Sequence, residues 1–380
     1  MIYFDNAATT AHKPPAVAEA VAHAINGFGG VGRGVHEASL DAGYAVFRAR
    51  QQLARLLGAH DPSRVAFASN ATEALNTAVA GLVQPGDTLV TTAASHNSVL
   101  RPLYRAVDEQ GCKLAIVPHD TCGALDYEAL DAALEPGTRL AVITHASNLT
   151  GDVYDIARIA RMCRERGVLL LVDAAQTAGV IPIDMARDGL DLVAFTGHKS
   201  LYGPQGTGGL AVAEGVEVEP LKVGGSGTHS YDRHHPACMP ERLEAGTLNA
   251  HGIAGLGAGL AYVEERGIDE LGARVRALAE RFERGVRGIE GVRVLGGGGD
   301  AGRCGIVALN VGELDSAAVG DALNAEFGIC TRAGAHCAPL MHEALGTQNQ
   351  GAVRFSFGSF NTEDEVDAGI AAVAAIAEEA

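Results

Sequence analysis

The chain is short of basic residues, of long apolar runs and of paired cysteines, and each shortage removes a class of function. Lys and Arg number 29 against 46 Asp and Glu, a formal net charge of −17, and no Lys/Arg cluster is long enough to track a phosphate backbone. Direct nucleic-acid binding is therefore not expected, although local donors can still hold a small anion. No run approaches the roughly 18 to 20 apolar residues of a membrane span. Met1-Ile-Tyr-Phe-Asp5 lacks the basic start and long apolar stretch of a secretory signal, so the expected location is cytoplasmic, away from membranes. Seven cysteines, at 112, 122, 163, 238, 304, 330 and 337, form no CxxC pair; reduced thiols, mostly buried as small hydrophobes, are expected. The Asn-x-Thr sequons at Asn70 and Asn148 then carry no glycan. No internal repeat is evident.

What the chain does have is length and alternation. Its 380 residues, 47% hydrophobic, exceed a single core and predict two domains. From Val65 to Ala213 short apolar strands alternate with amphipathic helices, which predicts an α/β fold with a mostly parallel sheet between helices and a ligand beyond the carboxyl ends of the strands. The alternation stops beyond Glu214, in an irregular glycine- and histidine-rich region at 223–240. A smaller α+β C-terminal domain follows, with strands expected at 292–295, 306–311 and 353–357. The expected division is an N-terminal segment, 1–15, packing with the small domain, a large domain, 16–250, and the small domain, 251–380. Between Leu40 and Leu57 the positions Tyr44, Phe47, Leu53, Leu56 and Leu57 recur at helical spacing and predict the apolar face of a long helix. Gly27-Phe-Gly-Gly-Val-Gly32 fits GxGxxG but follows a helix rather than a strand, so a dinucleotide reading fails. A flexible glycine loop ending in Arg33-Gly-Val-His36 is the better reading.

Two strand ends carry chemistry. One apolar strand ends at Asp173; the next runs into Thr196-Gly-His-Lys199, whose amine suits covalent attachment to a carbonyl cofactor. A solvated loop lysine and a turn carboxylate are the bland alternatives. Ser69-Asn-Ala-Thr72 opens a helix whose free N–H groups suit a phosphate or simply a cap.

Several motifs in one order resemble the class V aminotransferase family of pyridoxal-phosphate (PLP) enzymes, fold type I, and within it the cysteine desulfurases and selenocysteine lyases. These are Tyr3-Phe-Asp-Asn-Ala-Ala-Thr-Thr10, Ser69-Asn-Ala-Thr-Glu73, Val172-Asp-Ala-Ala-Gln176, Thr196-Gly-His-Lys199, Glu244-Ala-Gly-Thr247, Arg332-Ala-Gly-Ala-His-Cys337 and Arg354. The resemblance implies that Lys199 anchors pyridoxal 5'-phosphate and moves protons, that Asp173 holds the pyridine nitrogen, and that Gln176 donates to the ring hydroxyl. It implies that His96 stacks on the ring, with Ser95 standing where an acidic residue is common. Ala71, Thr72, Thr196 and His198 would surround the phosphate, and Thr247 would reach a neighbouring subunit's phosphate in a homodimer. Asn148, Arg332 and Arg354 would hold the amino-acid substrate, Arg354 by a bidentate bond.

Cys337 would take sulfur from L-cysteine as a persulfide, leave L-alanine, and pass the sulfur to a protein acceptor for iron–sulfur clusters, thiolated tRNA or another pathway. Arg332 and His336 could favour its thiolate if they point inward, and Gly334 would lend the loop mobility. Arg332-Ala-Gly-Ala-His-Cys-Ala-Pro-Leu-Met341 resembles the short-loop, group II type, with Ala335 where a histidine often stands. A selenocysteine lyase, a class V aminotransferase in which Cys337 is a bystander, or a PLP-binding protein with a degenerate site are the alternatives.

Overall fold

A computed structural model describes residues 1–32 and 34–380; Arg33, the end of the expected glycine loop, lies outside them. In chain order the elements are β1 (Ile2–Tyr3), α1 (Pro15–Gly27), α2 (Glu37–Leu57), β2 (Val65–Ala68), α3 (Ala71–Leu82), β3 (Thr88–Thr92), α4 (Asn97–Gln110), β4 (Lys113–Val117), α5 (Tyr127–Ala133), β5 (Thr138–Thr144), α6 (Ile156–Glu165), β6 (Leu169–Asp173), α7 (Met185–Asp188), β7 (Leu192–Thr196) and β8 (Gly208–Val212). The C-terminal part adds α8 (Ala250–Arg266), α9 (Ile268–Arg287), β9 (Val292–Leu295), β10 (Ile306–Val311), α10 (Ser316–Phe327), β11 (Ile329–Cys330), β12 (Arg332–Gly334), α11 (Pro339–Leu345), β13 (Ala352–Ser356) and α12 (Glu363–Glu378).

The first sheet runs β2-β8-β7-β6-β5-β3-β4. It is parallel from β7 to β4, and β8 is antiparallel to both its neighbours. Its strands are apolar on both faces because helices cover both. Alternate residues feed opposite cores: Val90, Leu170 and Val172 pack on one side, Leu89 and Leu171 on the other. The expected mostly parallel α/β architecture is present.

The helix α2 corrects one expectation. Tyr44 and Phe47 are exposed (60% and 51%), and the buried stripe is instead Ala42, Val46, Ala49, Leu53 and Leu57. Helix α8 packs on this face, with Gly257 against Ala49, so small side chains fit where aromatics do not. Leu53 and Leu57 keep their expected place. Arg50, also buried, pairs with Glu244 at 2.7 Å, and Glu244 accepts the Phe67 amide at 2.6 Å. The loop leading to Thr247 is thereby pinned to α2 and β2.

A second sheet, β12-β13-β10-β9, is antiparallel, and its core gathers Phe282, Val307, Leu309, Phe355 and Val373. The glycine run 296–299 lies in the β9–β10 connection, where Gly297 N–H donates to the Asp152 carboxylate at 2.9 Å. Helix α8 packs on α1 and α2, and its Ile253, Leu256 and Leu260 belong to the first core. At the other end of the chain, β1 pairs with β11 (Ile2↔Ile329), and Phe4 is buried in the second core.

Candidate active site

Strands β6 and β7 are adjacent and parallel, with Asp173 opposite Ala194, so their carboxyl ends deliver Asp173 and the Thr196–Lys199 turn to one place. A cavity of about 210 Å³ opens there. It is lined by Ala71, Thr72, His96, Asn148, Asp173, Gln176, Thr196, His198, Lys199, Arg332 and Arg354, all singled out in the sequence. Cys337 and Thr247 are not among its walls. Thr247 is exposed, and Cys337 is half-buried on a turn beside the cavity.

Each wall has a local cause. Asn70 caps α3 by accepting from Glu73 N–H at 2.9 Å, which leaves the first free N–H groups of α3 at the cavity. His96 caps α4 through Nδ1, accepting from Ser98 N–H at 3.0 Å. The N-terminal segment passes over the mouth: Thr10 N–H and Thr9 Oγ1 donate to the His198 carbonyl, and Thr10 Oγ1 donates to that of Lys199 at 2.8 Å. Ala7 and Ala8 line the cavity, and Ala7 O accepts from Gln176 Nε2 at 3.3 Å.

Electrostatics here are dominated by burial. Desolvation pushes the Asp173 carboxyl up, against the Ala175 amide and Lys199, and pushes Lys199 down to about 8, with Asp173 opposing and Arg354 and Arg332 assisting. His96 and His198 are each brought to about 4, by burial first and then nearby cations, so both rings are neutral at pH 7. His336 falls to about 3 for the same reasons. A neutral ring offers the thiol no charge, which corrects the expectation that His336 favours a thiolate; Arg354 and the half-buried Arg332 are the cavity-wall cations that act on this ring.

Arg354 is 1% exposed, donates through Nη2 to Asp5 at 2.8 Å and through Nη1 to the Asn148 carbonyl at 2.9 Å. Asp5, its charge partner, was not singled out in the sequence as a site residue, nor were Ser98 and Thr144, which also line the cavity. Only the Tyr3–Thr10 motif as a whole pointed toward Asp5.

The buried polar atoms without partners among the described residues test what the cavity would hold. Thr196 Oγ1, Thr144 Oγ1, His198 Nδ1, Asn148 Oδ1 and Arg354 Nε all belong to residues of its wall. Buried polar groups are normally satisfied, so such a concentration fits a polar, multiply bonded ligand. With a buried carboxylate, a lysine of lowered pKa and a helix N-terminus, the donor set fits pyridoxal phosphate. The fold and this site define a PLP-dependent enzyme of fold type I.

Comparison with known proteins narrows the class. Residues 2–368 match the family described as aminotransferase class-V. The chain is 33% identical over 371 residues to a probable cysteine desulfurase of Methanothermobacter thermautotrophicus, covering 96% of this chain and 92% of the relative. It is equally similar, 33% over 377 residues, to a cysteine desulfurase of Cronobacter sakazakii, with 97% and 91% covered. The apo structure of the Thermococcus onnurineus cysteine desulfurase superposes with a TM-score of 0.93 at 32% identity, covering 100% of this chain and 95% of that one. The Escherichia coli cysteine desulfurase carrying an S-sulfonic acid gives 0.88 at 31%, over 99% and 94%. The chain belongs to the class V aminotransferase family, whose cofactor is pyridoxal phosphate.

Proposed function

We propose that the protein is a cysteine desulfurase that moves sulfur from L-cysteine to Cys337 and releases L-alanine. One observation carries the reading: the turn bearing Cys337 is hydrogen-bonded to two walls of the Lys199 cavity, through Asn97 N–H to Cys337 O at 2.9 Å and Asn148 Nδ2 to His336 O at 2.6 Å.

Lys199 would attach the cofactor, Asp173 would face its ring nitrogen, Gln176 its ring oxygen and His96 its face, while Thr72, Thr196, His198 and the α3 terminus would hold its phosphate. Bound there, pyridoxal phosphate supplies an electron sink for the substrate's α-carbon. Arg354, with Arg332, orients the substrate carboxylate, while Asn148 turns its Oδ1 toward the cavity as an acceptor; two of the five Arg354 N–H donors are already used on Asp5 and Asn148, so Nε and the second N–H of each Nη remain, and Asp5 fixes where they point. Lys199, poised near 8, takes the α-proton and later returns one to carbon. The Cys337 thiolate attacks the substrate sulfur; an S–S bond forms, the Cβ–S bond breaks with its electron pair passing to carbon, and carbon is reduced as sulfur is oxidised. The proton of the substrate thiol supplies the third hydrogen of Cβ, so the products balance as alanine and an anionic Cys337 persulfide, from which a protein acceptor takes the outer sulfur.

Replacing Cys337 with Ala should retain the visible absorbance of bound cofactor and lower alanine formation from cysteine by ~10³-fold or more. Full turnover in that variant sinks the nucleophile assignment. Selenide with alanine from selenocysteine alone would mark a selenocysteine lyase, and a 2-oxo acid a transaminase.

The assembly we infer is a homodimer. Leu40, Tyr44 and Phe47 expose an apolar stripe at i, i+4 and i+7 on α2, and Thr247 is exposed, free to meet a neighbour's phosphate. Light scattering should find twice the chain mass, and the double variant Tyr44→Glu, Phe47→Glu should fall toward the monomer; a monomeric wild type refutes this.

A further inference from the structure

The turn that carries Cys337 is backward-bent. His336 and Cys337 occupy consecutive left-handed positions, at φ of 51° and 54°, and Ala338 N–H closes the turn on Ala335 O at 3.0 Å. Two positive φ values inside a closed four-residue turn describe a type I′ geometry, which favours Gly, Asn or Asp and is strained for His and Cys. The surroundings must therefore hold it.

Three contacts do so. His336 is 3% exposed, and its ring Nε2 bonds the Arg332 carbonyl at 3.0 Å. Asn97 N–H, at the start of α4 and next to His96, donates to Cys337 O. The third contact comes from Asn148, whose Nδ2 donates to His336 O at 2.6 Å across 188 positions of sequence. A carbonyl only accepts, so this bond fixes the amide's orientation: Nδ2 faces the turn, and Oδ1, buried and without a partner among the described residues, is left on the side of the cavity. The Asn148 backbone carbonyl in turn accepts from Arg354 Nη1. One residue thus touches both the arginine of the cavity and the peptide preceding the nucleophile.

We propose that Asn148 is a positioning residue for Cys337: its amide nitrogen clamps the left-handed turn, and its contact with Arg354 makes that clamp answer to whatever carboxylate the cavity takes up. The inference deepens the desulfurase reading and rests on it for the identity of the carboxylate, but the clamp itself is testable without turnover.

The variant is Asn148→Asp, which keeps the shape and the acceptor while removing the donor at neutral pH. In the cofactor-loaded protein, iodoacetamide labelling of Cys337, followed by mass spectrometry, reports the freedom of the turn. Labelling should speed up several-fold relative to wild type, and hydrogen exchange at the Asn97 amide should rise with it, because Cys337 O no longer stays in place. With cysteine as substrate, kcat should fall on the order of tenfold to a hundredfold from misplacement of the thiol. As the pH drops and the introduced carboxylate gains a proton it can donate again, so the variant-to-wild-type labelling ratio should return toward one.

Unchanged labelling and Asn97 exchange, together with a raised KM and an unaltered kcat, would overturn the proposal and leave Asn148 as a substrate contact alone. A wild-type protein that makes no alanine or persulfide would overturn the desulfurase reading while the labelling and exchange results still judge the clamp. Should the aspartate variant fail to fold, Asn148→Ser, too short to reach His336 O, carries the same measurements.

Discussion

The two sides of the cavity are built in opposite ways. Lys199 and Asp173 leave the ends of buried parallel strands, where backbone ladders and two cores fix them. Cys337 stands on a turn of the second sheet, held in a conformation that costs a non-glycine residue on the order of 1–3 kcal/mol by hydrogen bonds from Asn97 and Asn148. The difference teaches a division of labour: groups that must stay dry and still are placed on strand ends, and the group that must travel between a substrate and an acceptor is placed on a held turn.

The largest effect should separate the sides completely. Lys199→Ala should abolish covalently retained cofactor absorbance after gel filtration and lower turnover by ~10³-fold or more, while iodoacetamide still labels Cys337. A variant that keeps the absorbance would refute the anchor, and a thiol that ceases to label would show the two sides to be one unit.

The smallest effect probes the dryness of the strand side alone. His119 is 7% exposed, packs edge-on against Tyr154 at 5.2 Å, and neither ring nitrogen has a partner among the described residues. Burial holds it at about 4, with Asp120 opposing. Between roughly pH 6.5 and 4 the unfolded chain takes a proton that the folded chain refuses, so acidification across that window costs stability. His119→Phe should therefore lose ~2 kcal/mol less than wild type between pH 7 and pH 5 in urea unfolding of the apoprotein. Equal losses would mean that water reaches this ring.

Most of the strand side was legible in the sequence, because continuous apolar strands between amphipathic helices have few other solutions. Lys199 and Asp173 stood at recognisable strand ends. The α2 face is the exception: Ala42, Val46 and Ala49 form the buried stripe because α8 packs close, a tertiary fact absent from periodicity. The turn side was legible only as a motif. Nothing local in Arg332–Cys337 announces that His336 will be dry and neutral, that Asp5 will pair with a residue 349 positions away, or that Asn148 will reach the same turn. Those contacts depend on where the second sheet docks, and sequence spacing carries no record of it.

Residues 2–10 tie the two ends of the chain together over the cavity. Ile2 pairs with Ile329, Asp5 meets Arg354, Ala7 N–H bonds Ser356 Oγ, and Thr9 and Thr10 then close over His198 and Lys199. One short segment thus depends for its place on both sheets at once. The Lys199 strand end can therefore be complete while the mouth above it is not, because the mouth is finished only when parts of the chain 349 positions apart meet.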